Sequence, residues 1–291
     1  MELNSIIYSN QKLLYDALYH AASATLNELA KDAKYLGANI GYICILHTWG
    51  SAMNYHPHIH TIVLGGGLDD ENKWKETGGK FFLPYGVISK VFRGKYLDEL
   101  KSLWNDSKLK FHGTAEKYQN SYRFKELLDK CYEKNWVTYC KETFNGAQSV
   151  INYLGKYTHR IAISNHRIKS MTDTTVTYVV KDYKNEGCWK EKTISGEEFI
   201  RRFMMHVPPK RFVRIRHYGL LSCRNKRKKI THCRNLLGCK KYISTLKNLN
   251  AVEMIRVLYH IDVCKCSSCG GNMVSPRKDK YSSSFRAHMR C

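Results

Sequence analysis

In the segment Tyr55-His56-Pro57-His58-Ile59-His60-Thr61 the histidines recur at every second position. A period of two is that of a β-strand, whose side chains alternate between faces, so His58 and His60 share one face and Ile59 anchors the other. Gly41 to Trp49 reads as a second strand. If the two pair antiparallel with His47 opposite His58, then Ile45 faces His60 and Ile43 faces Ile62. Directly opposed Cβ atoms lie about 4.5–5.5 Å apart, close enough for His47, His58 and His60 to converge on one divalent ion. His56 has the same parity and is the reserve ligand. One such histidine is usually satisfied by ordinary hydrogen bonds; three in this arrangement point to a metal. On affinity alone, imidazoles suit Zn, Mn, Ni or Cu better than Mg, so the ion stays open.

Helical spacing of Leu14, Leu18, Ala22, Leu26 and Leu29 predicts a helix over Asn10 to Ala30. Further helices are expected over Val87 to Trp104, Tyr122 to Lys134, Ala147 to Tyr157 and Gly196 to His206, the last stopped by Pro208-Pro209. Gly65-Gly66-Gly67 reads as a break after the histidine strand. Short extended stretches are expected at Trp136 to Cys140 and around Ile161 to Ile163. Thr174 to Lys181 and Cys188 to Ile194 read as a hairpin turning at Lys184-Asn185-Glu186-Gly187. The fold class is therefore α+β: an antiparallel sheet carrying the histidine site, flanked by helices that include a tyrosine helix.

Charge narrows the function. The chain of 291 residues carries 48 Lys plus Arg against 25 Asp plus Glu, a formal charge of +23. Between Arg201 and Lys240 there are 13 basic residues and no acidic one. A solubilising surface would spread its charge; this concentration points to a nucleic-acid partner. Phe203, Phe212 and Tyr218 lie among these cations, and aromatics beside cations suit single-stranded DNA. Basic charge alone leaves RNA open. No run of 18 apolar residues exists to span a bilayer, and no secretion signal is evident at Met1 to Lys12, so the expected location is cytoplasmic.

A second motif is Tyr153-Leu154-Gly155-Lys156-Tyr157-Thr158-His159-Arg160. Four-residue spacing puts Tyr153 and Tyr157 on one face of a helix. A phenol with pKa about 10 is a weak nucleophile at neutral pH and needs a nearby cation or a metal. Lys156, His159 and Arg160 supply positive charge nearby.

The His-hydrophobic-His strand together with a tyrosine helix resembles the HUH endonucleases. More narrowly, five segments resemble the two-tyrosine insertion-sequence transposases: Leu46-His47-Thr48-Trp49-Gly50, His56 to His60, Gly65-Gly66-Gly67-Leu68, Tyr153 through Arg167, and Phe212 to Leu220. They occur in the expected order over nearly the whole chain. The resemblance implies rolling-circle transposition of single-stranded DNA. His58 and His60 would hold Mg²⁺ or Mn²⁺, with His47 as third ligand, and Tyr153 and Tyr157 would be nucleophiles that form a 5′-phosphotyrosine. The DNA partners would be element ends and target. Lys156, Arg160, Arg211, Arg214, Arg216, Arg224 and Arg227 are the expected DNA contacts. Family members usually begin with a Cys-rich zinc-binding domain, and this chain starts at a point matching the middle of that pattern. A cleavage-deficient DNA-binding remnant is therefore one competing reading, and a phosphodiesterase using metal-bound water is another.

Eleven cysteines in a cytosolic chain read as core residues or metal ligands before disulfides. Cys44, Cys131 and Cys140 sit in apolar surroundings and are expected in the core. Cys266-Ser267-Ser268-Cys269 supplies half a zinc site, which His288 and Cys291, or else Cys233, Cys239 and Cys264, would complete. The composition shift near Pro208 divides the chain into a nuclease core, residues 1–207, with an N-terminal helix and accessory hairpin, and a basic, Cys-rich region, residues 208–291.

Overall fold

The structure is a computed structural model that describes residues 3–78, 83–140, 147–158, 162–182, 187–224, 226–239, 246 and 248–273. A short helix α1 (Leu3–Ser9) leads into the long helix α2 (Gln11–Lys31). Strands β1 (Asn39–Trp49) and β2 (Tyr55–Leu68) follow and pair antiparallel. Their register matches His47 with His58, Ile45 with His60 and Ile43 with Ile62, the pairing assumed from the sequence. Even-numbered residues of β1, namely Tyr42, Cys44 and Leu46, enter a core built with Leu14, Tyr15, Leu18, Tyr19, Leu26 and Leu29 of α2. Each fully buried aliphatic side chain there contributes roughly 1.5–3 kcal/mol. Ile59 and Val63 of β2 pack on the same core, which leaves His47, His58 and His60 on the opposite face of the sheet.

The strand does not break at the triglycine. It runs through to Leu68 and pairs there with β3 (Trp74–Glu76). Two of these glycines serve close approach: a Cβ on Gly66 would lie 2.5 Å from the Trp74 ring, and one on Gly67 2.6 Å from the Asn39 carbonyl oxygen. Helices α3 (Tyr85–Asn105) and α4 (Ser121–Glu133) complete the helical layer through Tyr96, Leu97, Leu100, Phe124 and Leu127. Trp136 to Cys140 forms no strand. Trp136 is held by its ring instead, against Phe92 and Tyr96, with Nε1 donating to the Cys131 carbonyl.

After helix α5 (Ala147–Thr158) comes an accessory module: β4 (Ile168–Met171), β5 (Thr175–Asp182), β6 (Cys188–Ser195) and helix α6 (Gly196–Met204). The β5–β6 hairpin is in the expected place, although residues 183–186 of its turn lie outside the described residues. Ser195 caps α6 by accepting from the Glu198 backbone N–H. The extended stretch expected around Ile161 to Ile163 is absent where it is described; Ala162 has φ +56° and is buried. Strand β7 (Ile215–Gly219) then pairs with β1, giving the sheet order β3-β2-β1-β7.

The chain divides into two compact units after Cys233, later than the expected boundary near Pro208. The reason is that β7 belongs to the main sheet, and Cys233 of helix α7 (Lys226–Leu236) packs against Leu68 and Leu220. The second unit contains α8 (Ala251–Tyr259), whose N-terminus carries a full capping box between Asn250 and Glu253. Among the described residues no helix is long and apolar enough to cross a membrane.

Candidate metal and tyrosine site

His47, His58 and His60 each place a ring nitrogen within 4.8 Å of the others, and they are the only group of this kind among the described residues. The Nε2 atoms of His58 and His60 are 3.0 Å apart. His47 is the deepest, 2% exposed, and its ring is stacked under Trp49 at 4.6 Å. His58 Nδ1 donates to the His56 carbonyl at 2.6 Å, so the neutral ring turns its Nε2 lone pair towards His60. Such an outer hydrogen bond fixes both tautomer and ring orientation in metal-binding histidines. His56 contributes its backbone to the site in this way.

Burial holds the His60 ring far below the ordinary histidine range, at about 4, and the neighbouring His58 adds to the effect. Burial lowers His58 as well. These two rings are therefore neutral at pH 7 and offer lone pairs rather than charge. Neutral, converging imidazoles are the donor set a divalent transition-metal ion takes, so the residues fit a metal.

Tyr153 of α5 reaches the triad. Its hydroxyl lies 2.8 Å from His60 Nδ1, the ring nitrogen that faces away from His58. Two arrangements satisfy this pair. Either His60 Nδ1 accepts the phenol hydrogen while Nε2–H donates to His58, or both Nε2 lone pairs face a cation and Nδ1–H donates to the phenol oxygen. Tyr157 lies on the same helix one turn on, but its side chain and that of Lys156 lie outside the described residues, as does all of Arg160.

The basic stretch is sorted by the fold. Arg216 pairs with Asp16, and its guanidinium sits over the Tyr19 ring at 4.0 Å, so this side chain ties β7 to α2. The Arg214 carbonyl accepts the Tyr19 hydroxyl hydrogen, and its side chain is half-buried. Arg211, Arg224 and Arg227 are exposed. The aromatics expected to stack on bases are otherwise engaged. Phe212 packs edge-on to Tyr15, Tyr218 stacks on Tyr42 at 5.2 Å, and Phe203 joins the cluster around Tyr178. A hydrophobic ring among cations is read from sequence as a platform, but the sheet and helix beneath claim these three first.

In the second unit, Cys266 and Cys269 lie in a tight turn closed by Gly270 N–H to the Cys266 carbonyl, with Gly270 at φ +68°. The backbone N–H groups of Cys269 and Ser268 pull the Cys266 thiol below the usual range. Among the described residues no third ligand joins this pair, and His288 and Cys291 lie outside them. Cys233 is buried in the first unit; Cys44 and Cys131 are buried core residues, and Cys140 is half-buried. Trp49, which covers His47, is a residue that sequence reasoning misses. Its signal is present nonetheless: two positions along the same strand from His47, hence the same face.

Residues 41–229 match the family model described as "Putative transposase". The chain is 40% identical over 235 residues to "Putative transposase y4qJ" of Sinorhizobium fredii, covering 80% of this chain and 59% of that protein. It is 27% identical over 271 residues to "Transposase for insertion sequence element IS801" of Pseudomonas savastanoi pv. phaseolicola, covering 92% of this chain and 63% of that protein. The chain thus spans about three-fifths of the length of these curated relatives. No solved structure matches it. One family match takes in the sheet, the histidine triad and the tyrosine helix together, and the chain belongs to the two-tyrosine transposase family.

Proposed function

We propose that this chain is the catalytic core of a transposase that nicks and rejoins single-stranded DNA through a 5′-phosphotyrosine. The observation that carries the reading is the 2.8 Å contact between the Tyr153 hydroxyl and His60 Nδ1, which joins the nucleophile candidate to a metal-ligand candidate. His47, His58 and His60 would hold Mg²⁺ or Mn²⁺. A cation bound there would draw charge from a non-bridging phosphate oxygen and make phosphorus more electrophilic.

The chain's own groups do the rest. Were His60 to offer its Nε2 lone pair to such an ion, its ring hydrogen would sit on Nδ1 and would be donated to the Tyr153 oxygen, 2.8 Å away. A hydrogen bond donated to that oxygen favours the phenolate over the phenol. The phenolate oxygen then bonds to phosphorus as the P–O3′ bond breaks. The phenol releases its proton to solvent, and the departing electron pair goes to O3′, which takes a proton from solvent to become a free 3′-hydroxyl. Because the phosphotyrosine keeps the phosphodiester's bond energy, a 3′-hydroxyl can attack it in reverse and rejoin strands. A second tyrosine, Tyr157, permits a second such exchange. Arg211, Arg224 and Arg227 would track phosphates.

The test is a denaturing gel after incubation with Mn²⁺ and an oligonucleotide labelled at its 3′ end, the fragment the tyrosine would retain. A labelled band at protein mass is expected. Cleavage with no protein-bound label would favour attack by metal-bound water instead, and binding without cleavage would favour an inert remnant.

A further inference from the structure

Between the two histidine-bearing strands the chain turns through Gly50 to Asn54, closed by the Gly50 N–H on the Asn54 carbonyl and the Met53 N–H on the Gly50 carbonyl, both at 3.1 Å. The β1–β2 ladder slips register between His47 and Trp49 and resumes at Trp49–Tyr55, so the regular register ends at the His47–His58 pair. Met53 then adopts φ +54°, unfavourable for a non-glycine residue, with its side chain fully buried. A strained residue persists only where its surroundings over-determine it.

Here the accessory module does so. Three successive carbonyls of the turn accept from it: Ser51 from Arg167, Ala52 from Arg202 at 3.2 Å, and Met53 from His206 Nε2 at 3.2 Å. Ser51 Oγ accepts the Lys181 backbone N–H at 2.6 Å, and the Met53 side chain packs with Ala162, Tyr178 and Val180. His206, just past α6, is 2% exposed and engaged on both ring nitrogens. Since Nε2–H donates to Met53, Nδ1 must accept the Thr48 hydroxyl hydrogen, 3.1 Å away. Thr48 adjoins His47. The His206 ring also lies 6.1 Å from Trp49, which stacks on His47, and 6.3 Å from Tyr55 at the start of β2.

We infer that the accessory module is a template for the histidine triad, with His206 as the positioning residue that sets His47 relative to His58 by bonding both ends of their connecting turn. The inference rests on the metal reading of the triad. His206 touches neither DNA nor metal in it; it acts through Thr48 and Met53.

The test is Mn²⁺ titration of the full chain without DNA, followed by the electron paramagnetic resonance of free Mn²⁺, with thermal melts alongside. Loss of an outer-shell partner typically weakens metal binding by about 10–100-fold, and His206→Ala is expected in that range. His206→Gln, which restores a donor for the Met53 carbonyl, should recover much of the loss. Leu127→Ala, a core truncation in α4 remote from the turn, should lower the melting temperature and leave Mn²⁺ affinity unchanged. Should His206→Ala not fold, Thr48→Val removes one of the two bonds and should weaken binding in the same direction. Wild-type Mn²⁺ affinity in a folded His206→Ala or Thr48→Val protein, or an equal loss in Leu127→Ala, overturns the inference. Absence of Mn²⁺ binding by the wild type would instead overturn the metal reading itself.

Discussion

Replacing Tyr153 by phenylalanine removes one oxygen and keeps the ring. The structural change is the removal of the half-buried 2.8 Å hydrogen bond with His60, which contributes about 0.5–1.5 kcal/mol. For a unit of the size of Met1–Cys233, each kcal/mol shifts the melting temperature by about 2–4 °C, so the variant should stay folded at assay temperature. The chemical effect should be far larger, because the nucleophilic atom itself is gone. With Tyr157 still present, Tyr153→Phe should leave a residual covalent adduct, as should Tyr157→Phe, and the double variant should leave none. Tyr153→Phe should be the more damaging single change, since it removes the hydroxyl that is hydrogen-bonded to His60. Strand transfer, which needs two breaks, should suffer more than first cleavage in either single variant. Adduct yield on the 3′-labelled strand measures all of this, and mass spectrometry of the adduct locates the modified residue. Attachment anywhere else, or full cleavage by the double Phe variant, would refute the mechanism.

His58→Ala and His60→Ala should each abolish metal-dependent cleavage while retaining much of the affinity for single-stranded DNA; undiminished cleavage by the double alanine variant would remove the metal site. His47→Ala should weaken metal binding, and unchanged affinity by calorimetry would assign the third ligand elsewhere. Affinity for single strands should fall steeply with salt. Neutralising Arg211, Arg224 and Arg227 should flatten the log–log slope by about 0.7 for each phosphate that no longer meets a cation, and an unchanged slope would take these arginines off the DNA path. Metal-free protein should lose stability as pH falls from about 6.5 towards 4. Unfolded chains protonate histidine at about 6.5, whereas burial keeps His60 neutral in the fold down to about 4, so protons in that window favour unfolding. Denaturant melts across this range should show a steeper pH dependence for wild type than for His60→Gln; equal slopes would contradict the assignment.

The histidine face is legible in the sequence because a strand's period of two is local and a single assumed pairing then determines every neighbour; the register found is that assumed pairing. Helix α2 is legible for the same kind of reason, a long apolar stripe at constant spacing. What escapes is non-local. Ile215 to Gly219 is a five-residue strand carrying arginine and histidine, and only its place beside β1 makes it one. Gly65 to Gly67 carries a breaker's composition, but Gly66 and Gly67 meet a crowded crossing with Trp74 and Asn39. His206 gives no local sign at all. Its partners, Met53 and Thr48, are 153 and 158 residues away in sequence.

The sheet order β3-β2-β1-β7 also has a consequence for how this protein is made. As the chain leaves the ribosome, β1 finds β2 at once, but its other edge waits about 170 residues for β7, from Ile45 to Ile215. Through that interval the peptide groups of Gly41 to Ile45 form an open strand edge, the kind that recruits other chains into aggregates. Helix α2 shields one face of the sheet in the meantime, but a face is not an edge. A copy shortened by a premature stop between Thr158 and Ile215 would retain His47, His58, His60 and both tyrosines, yet carry that exposed edge permanently. Late closure by β7 therefore makes translation of the basic segment a condition for a sheet without that open edge, so damaged copies of the gene would tend to yield aggregates.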